Sequence, residues 1–164
     1  MPDNVVTQEA LQERLIANKF NAWMGLKILQ LGEDTIEIGM TWREEMISNP
    51  TARVTHGGIL GALVDVAADF MIAAKTGAPV PTVDMRVDYH RAAGPGDLRA
   101  VGRVIRLGST FSTAAAEVFD ADGRLIASGR GVYFTGRPGS GVSALITESA
   151  RERIILTVIL PSSA

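Results

Sequence analysis

Asp65 lies in the middle of a stretch that is mostly apolar or small, Val54 to Ala74, which reads VTHGGILGALVDVAADFMIAA. An ionised carboxylate is costly to bury, so Asp65 should be paired, protonated or retained because a reaction needs it. On a helix, bulky apolar residues form one face, and Asp65 shares the other with Asp69 and with the small residues Gly58, Gly61, Ala62 and Ala68. That face leaves room for a ligand beside Asp65. A solvated stripe, with Asp65 paired to an arginine, explains the helix equally well.

The sequence THGG precedes this helix and places Gly57 and Gly58 in its first turn. Glycine permits close approach of a ligand, and the unpaired N–H groups of a first turn point outward at the positive end of the helix dipole. Such a turn can bind a phosphate or stabilise a developing oxyanion. The alternative is a tight strand-to-helix turn that needs glycine only for its backbone. We expect His56 to shape the turn rather than carry a proton.

The surrounding pattern predicts one α+β domain over residues 1–136. Helical spacing predicts a helix over Gln8 to Trp23, with Leu11, Leu15 and Ile16 on one face. GLKILQLGEDTIEIGMTW predicts a hairpin before the central helix, and four strands are predicted after it, from PTVDMRVDYH, DLRAVGRVIRL, TFSTAAAEVF and RLIASGRGVYF. Strands segregated from one long helix favour an antiparallel sheet that wraps that helix.

The remaining features set limits on the class of protein. Residues 137–164 begin with a Pro/Gly/Ser linker and contain the apolar run IILTVIL, which is either a docked element or a disordered end.

A net charge of −2 gives no basic footprint for nucleic acid. We expect a cytoplasmic protein, since we find no signal peptide and no run long enough to span a membrane. With no cysteine and two histidines, we expect no metal site.

The combination of HGG with Asp65 eight residues after Gly57, on an apolar helix flanked by strands, resembles the hotdog-fold acyl-CoA thioesterases of the phenylacetate-pathway (PaaI) type. The segments PTVDMRVDYHRAAGPGDL and GRVIRLGSTFSTAAAEVFDADGRLIASGRGVYF also look like that family's strands. The resemblance covers roughly residues 23–134. It implies a hotdog fold and hydrolysis of an acyl- or aryl-CoA thioester, with no cofactor besides the coenzyme A of the substrate.

The resemblance also implies roles for individual residues. Gly57 would supply the oxyanion-hole N–H, Asp65 would act as general base or nucleophile, and Thr82 would help to hold the attacking water. Asn49 would contact the thioester carbonyl, although the segment from Asn49 to His56 is one residue longer than the family pattern, and a loop asparagine is an equal alternative. Thr82 should face away from Val83, on the same side of its strand as Asp84.

Coenzyme A carries phosphates, so basic and hydroxyl groups should line its route. Arg106, Ser109 and Thr110, in the sequence RLGST, are the candidates, and a solvated surface charge is the alternative for Arg106. His56 and Gly58 would adjoin the thioester itself.

Spacing along the helix predicts a site shared between chains. Gly57 and Asp65 are eight residues apart, which is roughly 12 Å on one helix, too far for both to act on one carbonyl. A two-fold homodimer with antiparallel central helices would bring Gly57 of one chain to Asp65 of the other. The hotdog resemblance implies the same dimer, often paired again into a tetramer.

Two other functions fit the sequence. One is a hotdog dehydratase or hydratase that acts on acyl thioesters with His56 as base, and the other is an acyl-CoA sensor without catalysis. The presence of both Asp65 and Thr82 favours hydrolysis over sensing.

Overall fold

The computed structural model describes residues 6–136, which form three α-helices and eight strands. The helices are α1 (Gln8–Ala17), α2 (Lys19–Trp23) and α3 (Gly57–Thr76), and a short 3-10 turn covers Glu44–Met46. The strands are β1 (Leu26–Leu31), β2 (Thr35–Met40), β3 (Ile47–Asn49), β4 (Val54–Thr55), β5 (Thr82–Tyr89), β6 (Leu98–Arg106), β7 (Phe111–Phe119) and β8 (Leu125–Phe134). Residues 137–164, for which the sequence predicts a linker and an apolar run, lie outside the described residues.

Six strands form one antiparallel sheet in the order β1-β2-β6-β7-β8-β5, and α3 packs against it. Leu63, Val64, Ala67 and Met71 of α3 are buried in the core beneath the sheet. These residues belong to the predicted apolar stripe, because residues three and four apart share a helix face. The predicted α+β fold, a long central helix wrapped by an antiparallel sheet, is confirmed.

The helix lies unusually close to the sheet at Gly102 in β6. A Cβ atom at Gly102 would collide with the backbone carbonyl of Ala67. The absence of a side chain therefore lets the two backbones meet. At the other end of the helix, Gly77 has a φ of 76° and ends α3 in the left-handed conformation, where its N–H donates to the carbonyl of Ala73.

The N-terminal segment differs from the prediction of one helix. It breaks at Asn18, whose side-chain oxygen accepts hydrogen bonds from the backbone N–H groups of Phe20 and Asn21 and so starts α2. Leu11 and Leu15 are fully buried as predicted, whereas Ile16 is 47% exposed. The placement of Ile16 on the buried face was therefore wrong.

Two glutamines of α1 cover the outer edge of β1. Gln12 accepts a hydrogen bond from the Ile28 N–H at 2.7 Å and donates to the Leu26 carbonyl at 3.4 Å. Gln8 accepts from the Leu31 N–H at 3.1 Å and donates to the Ile28 carbonyl at 3.4 Å. The side-chain amides thus occupy the positions that a neighbouring strand would take.

The opposite edge of the sheet is β5, which pairs only with β8 among the described strands. Its Val83 and Tyr89 are 56% and 57% exposed, and its Met85 and Val87 are only partly buried against the core. A separate two-stranded sheet of β3 and β4, which the sequence reading did not predict, precedes α3.

By length and composition α3 could cross a membrane, because it has 20 residues and a mean hydropathy of 1.7 in its most apolar window. The prediction that no run was long enough is therefore wrong. However, 61% of that window is buried inside the protein, as in the core helix of a globular domain.

Candidate active site

Two hydroxyl groups hold the Asp65 carboxylate. The Thr82 hydroxyl donates to Asp65 Oδ1 at 3.0 Å, and the Tyr133 hydroxyl donates to the same oxygen at 3.2 Å. Asp65 Oδ2 accepts no hydrogen bond from the described residues. One carboxylate oxygen is thus fixed in position and the other is available to a water or a substrate. No arginine pairs with Asp65 within residues 6–136, so the alternative of a simple ion pair receives no support.

A β-bulge turns Thr82 toward Asp65. Along β5 the regular pairing with β8 runs from Tyr89 opposite Ala127 to Asp84 opposite Val132, and it then shifts so that Thr82 lies opposite Tyr133. Val83 is the additional residue, and it is largely exposed. Because residues directly opposite each other share a face, Thr82 faces the helix together with Tyr133. We predicted that Thr82 would lie on the same side of its strand as Asp84, away from the core. That prediction was wrong, because strict alternation along the strand does not allow for the bulge.

Tyr133 is a site residue that the sequence reading missed. It is fully buried, and its ring lies over Gly131, where a Cβ would come within 2.5 Å of the Tyr133 hydroxyl oxygen. Burial, followed by the negative charges of Asp65 and Asp69, raises the pKa of Tyr133, so that its hydroxyl remains a donor. The signal in the sequence was GRGVYF, in which Gly131 is two residues before the tyrosine and therefore on the same face of the strand.

Asp69 lies one helical turn beyond Asp65. Its Oδ1 atom is buried and has no hydrogen-bond partner among the described residues. The pKa of Asp69 is raised well above its usual range, mainly by burial and secondly by the negative charge of Asp65. The two carboxyl groups of this helix face therefore differ in environment, since two hydroxyl groups hold Asp65 whereas Asp69 Oδ1 has no partner among the described residues.

The start of α3 has the features that the THGG motif predicts for a helix N-terminus. His56 is the N-cap, and its Nδ1 atom accepts a hydrogen bond from the Gly58 N–H at 2.8 Å. His56 therefore shapes the turn in the way we expected. The Gly57 N–H donates to no side chain or loop carbonyl within the described chain, and as the first helical residue it has no partner inside the helix.

Tyr89 at the end of β5 covers this turn. Its hydroxyl donates to the Gly57 carbonyl at 3.1 Å, and a Cβ at Gly57 would lie 3.4 Å from the tyrosine ring. Gly57 and Tyr89 line a cavity of about 380 Å³ with Thr55, Leu60 and His90. Sequence reasoning did not assign Tyr89 to this position.

Asp65 and Asp69 line a larger cavity of about 780 Å³ that α1 and α2 enclose against α3. Gly57 does not line this cavity within the described chain. One chain therefore presents the carboxylate and the helix N-terminus at two different cavities, in agreement with the roughly 12 Å that the helix rise gives for their separation.

The other predicted site residues lie outside the Asp65 cavity as the described residues define it. The Asn49 side-chain oxygen accepts hydrogen bonds from the Thr51 and Ala52 N–H groups, which is the local turn expected of a loop asparagine. Arg106 ends β6, and Ser109 and Thr110 lie in the connection to β7. The Thr110 carbonyl accepts from the N–H groups that follow β8. Within residues 6–136 no group of three or more metal-ligating side chains occurs.

Comparison with known proteins identifies the family. A model of the thioesterase superfamily matches residues 53–127, which include the start of α3, Asp65 and Thr82. A crystal structure of a thioesterase-superfamily protein is 54% identical, with a TM-score of 0.76 over 77% of this chain and 96% of the other. The chain belongs to the thioesterase superfamily, and its fold is the hotdog fold. The resemblance to this superfamily is confirmed.

Two further proteins are similar to this chain at lower identity. A thioesterase structure from Haemophilus influenzae is 23% identical, with a TM-score of 0.71 over 80% of this chain and 92% of its own, and shows the same fold. The medium/long-chain acyl-CoA thioesterase YigI of Salmonella typhimurium is 24% identical over 132 residues, which are 71% of this chain and 85% of the relative.

Proposed function

We propose that the protein is an acyl-CoA thioesterase of the PaaI type, which hydrolyses an acyl- or aryl-CoA thioester to the free acid and coenzyme A. The observation that carries this proposal is the Asp65 carboxylate, which lines a large cavity and whose Oδ1 is held by Thr82 and Tyr133 while Oδ2 accepts no hydrogen bond from the described residues. The name of the Salmonella relative, a medium/long-chain acyl-CoA thioesterase, supports acyl-CoA as the substrate.

In this mechanism Asp65 Oδ2 takes a proton from a water, and the resulting hydroxide attacks the thioester carbonyl carbon. The oxyanion that forms accepts a hydrogen bond from a Gly57 N–H, and the tetrahedral intermediate collapses to expel the thiolate of coenzyme A. The proton held by Asp65 then passes to that thiolate. The Thr82 oxygen, whose own proton is directed at Asp65, can accept a hydrogen bond from the water. The residues require no cofactor for these steps.

The site is composite in this proposal, and the geometry of β5 supports that. Thr82, at the start of β5, contacts Asp65, while Tyr89, at its end, contacts Gly57. If the open edge of β5 pairs antiparallel with its two-fold copy, the Thr82 end of one chain lies beside the Tyr89 end of the other. Asp65 of one chain and Gly57 of its partner then meet at one carbonyl. Two such dimers would pair further into a tetramer.

The remaining assigned residues keep secondary roles in this proposal. His56 and Gly58 shape the turn beside the thioester, and Arg106, Ser109 and Thr110 are the candidate contacts of the coenzyme A phosphates. Asn49 reaches the carbonyl only if its turn rearranges, because its side-chain oxygen already accepts two backbone hydrogen bonds.

The activity is tested by incubating the protein with a panel of acyl- and aryl-CoA thioesters and a thiol-detecting dye. We expect release of free thiol, and Asp65→Asn, which retains the shape of the side chain, should lower kcat about 10² to 10⁴-fold. A change in enoyl absorbance without free thiol would identify a hydratase, and binding without either would identify a sensor. Unchanged kcat in Asp65→Asn would end the assignment of Asp65.

A further inference from the structure

The cavity of about 780 Å³ beside Asp65 has walls that are mostly apolar. Helices α1 and α2 form one side, α3 forms the other, and the segment after α3 closes one end. A cavity of this size, with few polar groups, is typical of a site for a small organic ligand. The apolar lining residues include Leu11, Phe20, Ala62, Val66, Phe70 and Val80.

Asp69 is the exception in this wall, because its buried Oδ1 atom has no hydrogen-bond partner among residues 6–136. Two polar side chains of the lining make hydrogen bonds elsewhere. Arg14 donates to the Gly77 carbonyl at 2.8 Å, and the Asn18 oxygen accepts from the two N–H groups that begin α2. The cavity therefore contains a carboxyl oxygen, Asp69 Oδ1, that no described residue hydrogen-bonds.

A carboxyl group with one buried oxygen that has no hydrogen-bond partner among the described residues, next to the charge of Asp65, is more stable in its neutral form. Burial and the charge of Asp65 accordingly raise the pKa of Asp69 well above its usual range. A neutral carboxyl group carries one O–H donor and retains acceptor capacity, so it can bind a hydroxyl or an oxo group in an otherwise apolar cavity.

We propose that Asp69 is a specificity-determining residue that hydrogen-bonds a hydroxyl or oxo substituent on the acyl group, an inference that rests on the proposed thioesterase activity. Asp65 and Asp69 line the same cavity, so an acyl group whose thioester carbon lies at Asp65 extends past Asp69. Asp65 and Asp69 are four residues apart on the helix, which is roughly 6 Å along its axis. The substituent bound by Asp69 would therefore lie at about that distance from the thioester carbon. In an extended acyl chain this distance spans about five bonds, so it corresponds to the fifth or sixth carbon.

Hydrolysis of a matched set of thioesters tests this inference. The set is octanoyl-CoA and the three forms that carry a hydroxyl on the third, fifth or seventh carbon. We expect kcat/KM for the fifth-carbon hydroxyl to exceed that for octanoyl-CoA by about 10 to 100-fold, because the apolar chain leaves the buried carboxyl unpaired. Equal kcat/KM values across the set would overturn the inference.

Variants then test whether Asp69 is responsible. Asp69→Asn keeps a neutral hydrogen-bonding group and should retain the preference, whereas Asp69→Leu should lose it and hydrolyse octanoyl-CoA at least as well as the wild type. Asp69→Ala repeats the apolar substitution if the leucine variant does not fold. Asp122→Leu removes an exposed carboxylate from the turn before β8 and should leave the preference unchanged. A preference that persists in the apolar variants would overturn the role of Asp69.

Binding separates failure of this inference from failure of the proposed function. Calorimetry with the Asp65→Asn variant gives Kd for the same four thioesters without turnover. If no variant or wild-type protein releases thiol, the thioesterase proposal fails, yet tighter binding of the fifth-carbon hydroxyl would still support the assignment of Asp69. Equal Kd values, with or without thiol release, would contradict it.

Discussion

At the scale of single residues, the two oxygens of Asp65 have different environments. Oδ1 accepts hydrogen bonds from Thr82 and Tyr133, which hold this oxygen in position, and Oδ2 accepts none from the described residues. A general base must reach its proton at hydrogen-bond distance in a defined direction. The two hydroxyl groups therefore position the base, and they also satisfy the hydrogen-bonding capacity of one of its oxygens.

Thr82 provides a direct test of this positioning. Thr82→Val removes the hydroxyl that donates to Asp65 at 3.0 Å and should lower kcat by about tenfold to a hundredfold, since hydrogen bonds to charged groups contribute about 1.5 to 3 kcal/mol. Thr82→Ser keeps a hydroxyl at the same position and should retain most of the activity. Steady-state kinetics on one good substrate measures both, and equal kcat values for the Val and Ser variants would remove the hydroxyl from the mechanism.

Asp69 predicts a pH-dependent stability of a particular sign. Its pKa is raised in the folded protein, so its contribution is fully present below the unfolded-state pKa of about 3.9 and is lost as the pH rises through the folded-state pKa. The free energy of unfolding of the wild type should therefore fall relative to that of Asp69→Asn across this range. Urea denaturation at a series of pH values measures the difference, with Asp122→Asn as the exposed control. A difference that does not change with pH would contradict the prediction.

Sequence reasoning could identify Asp65 because a carboxylate among apolar and small residues is a local contrast. It could not identify Tyr133, because a tyrosine near the end of an apolar strand is common, and its role depends on which residues lie across the sheet. Thr82 was assigned through family resemblance, while its orientation was wrong. Asn49 was assigned through the same resemblance and Arg106 through the phosphates of coenzyme A, and the roles of both remain predictions.

At the scale of elements, the site depends on irregularities in two neighbouring strands. The bulge at Val83 brings Thr82 opposite Tyr133, and the glycine at position 131 leaves room for the tyrosine ring. Periodicity predicted the central helix and the six strands of the large sheet, because it requires only the regular spacing of apolar residues, but it missed β3, β4 and the break between α1 and α2. The bulge inserts Val83 as one additional residue in β5. Because valine is a common strand residue, nothing in the apolar pattern marks it as the bulge.

Gly131→Ala tests the second irregularity. The new Cβ would lie 2.5 Å from the Tyr133 hydroxyl oxygen, so the ring must move and its hydrogen bond to Asp65 should be lost. We expect a loss of about 1 to 3 kcal/mol in the free energy of unfolding, together with a lower kcat.

Gly94→Ala is the matched control, because a Cβ at Gly94 meets no atom within 4 Å. Its free energy of unfolding and kcat should match those of the wild type. Chemical denaturation and steady-state kinetics are measured on both variants. A Gly131→Ala protein with the stability and kcat of the Gly94→Ala protein would show that the close contact does not constrain Tyr133.

At the scale of the whole molecule, one chain holds Asp65 and Gly57 at separate cavities. Mixed dimers test whether two chains combine them. Asp65→Asn lacks the base, and Gly57→Pro lacks the donor N–H at a helix position that tolerates proline. In a mixed dimer, one composite site carries both defects and the other carries neither.

The two inactive variants are unfolded together, refolded and assayed against each variant refolded alone. Random pairing makes half of the dimers mixed, so activity should return to roughly a quarter of the wild-type value. Mass spectrometry of the intact assembly confirms that mixed dimers are present. If they are present and activity does not return, the composite site is wrong.

The two edges of the six-stranded sheet differ in a way that limits how copies of this chain can join. A sheet with two exposed edges can add copies at both and grow without end, as in a fibril. Here Gln8 and Gln12 already bind the backbone of β1, whereas β5 keeps an exposed edge. If copies of this chain pair through β5, they use the one edge of the six-stranded sheet that the described residues leave open. Strand addition to this sheet would then stop at two copies, and the short N-terminal helix would be the element that prevents further growth.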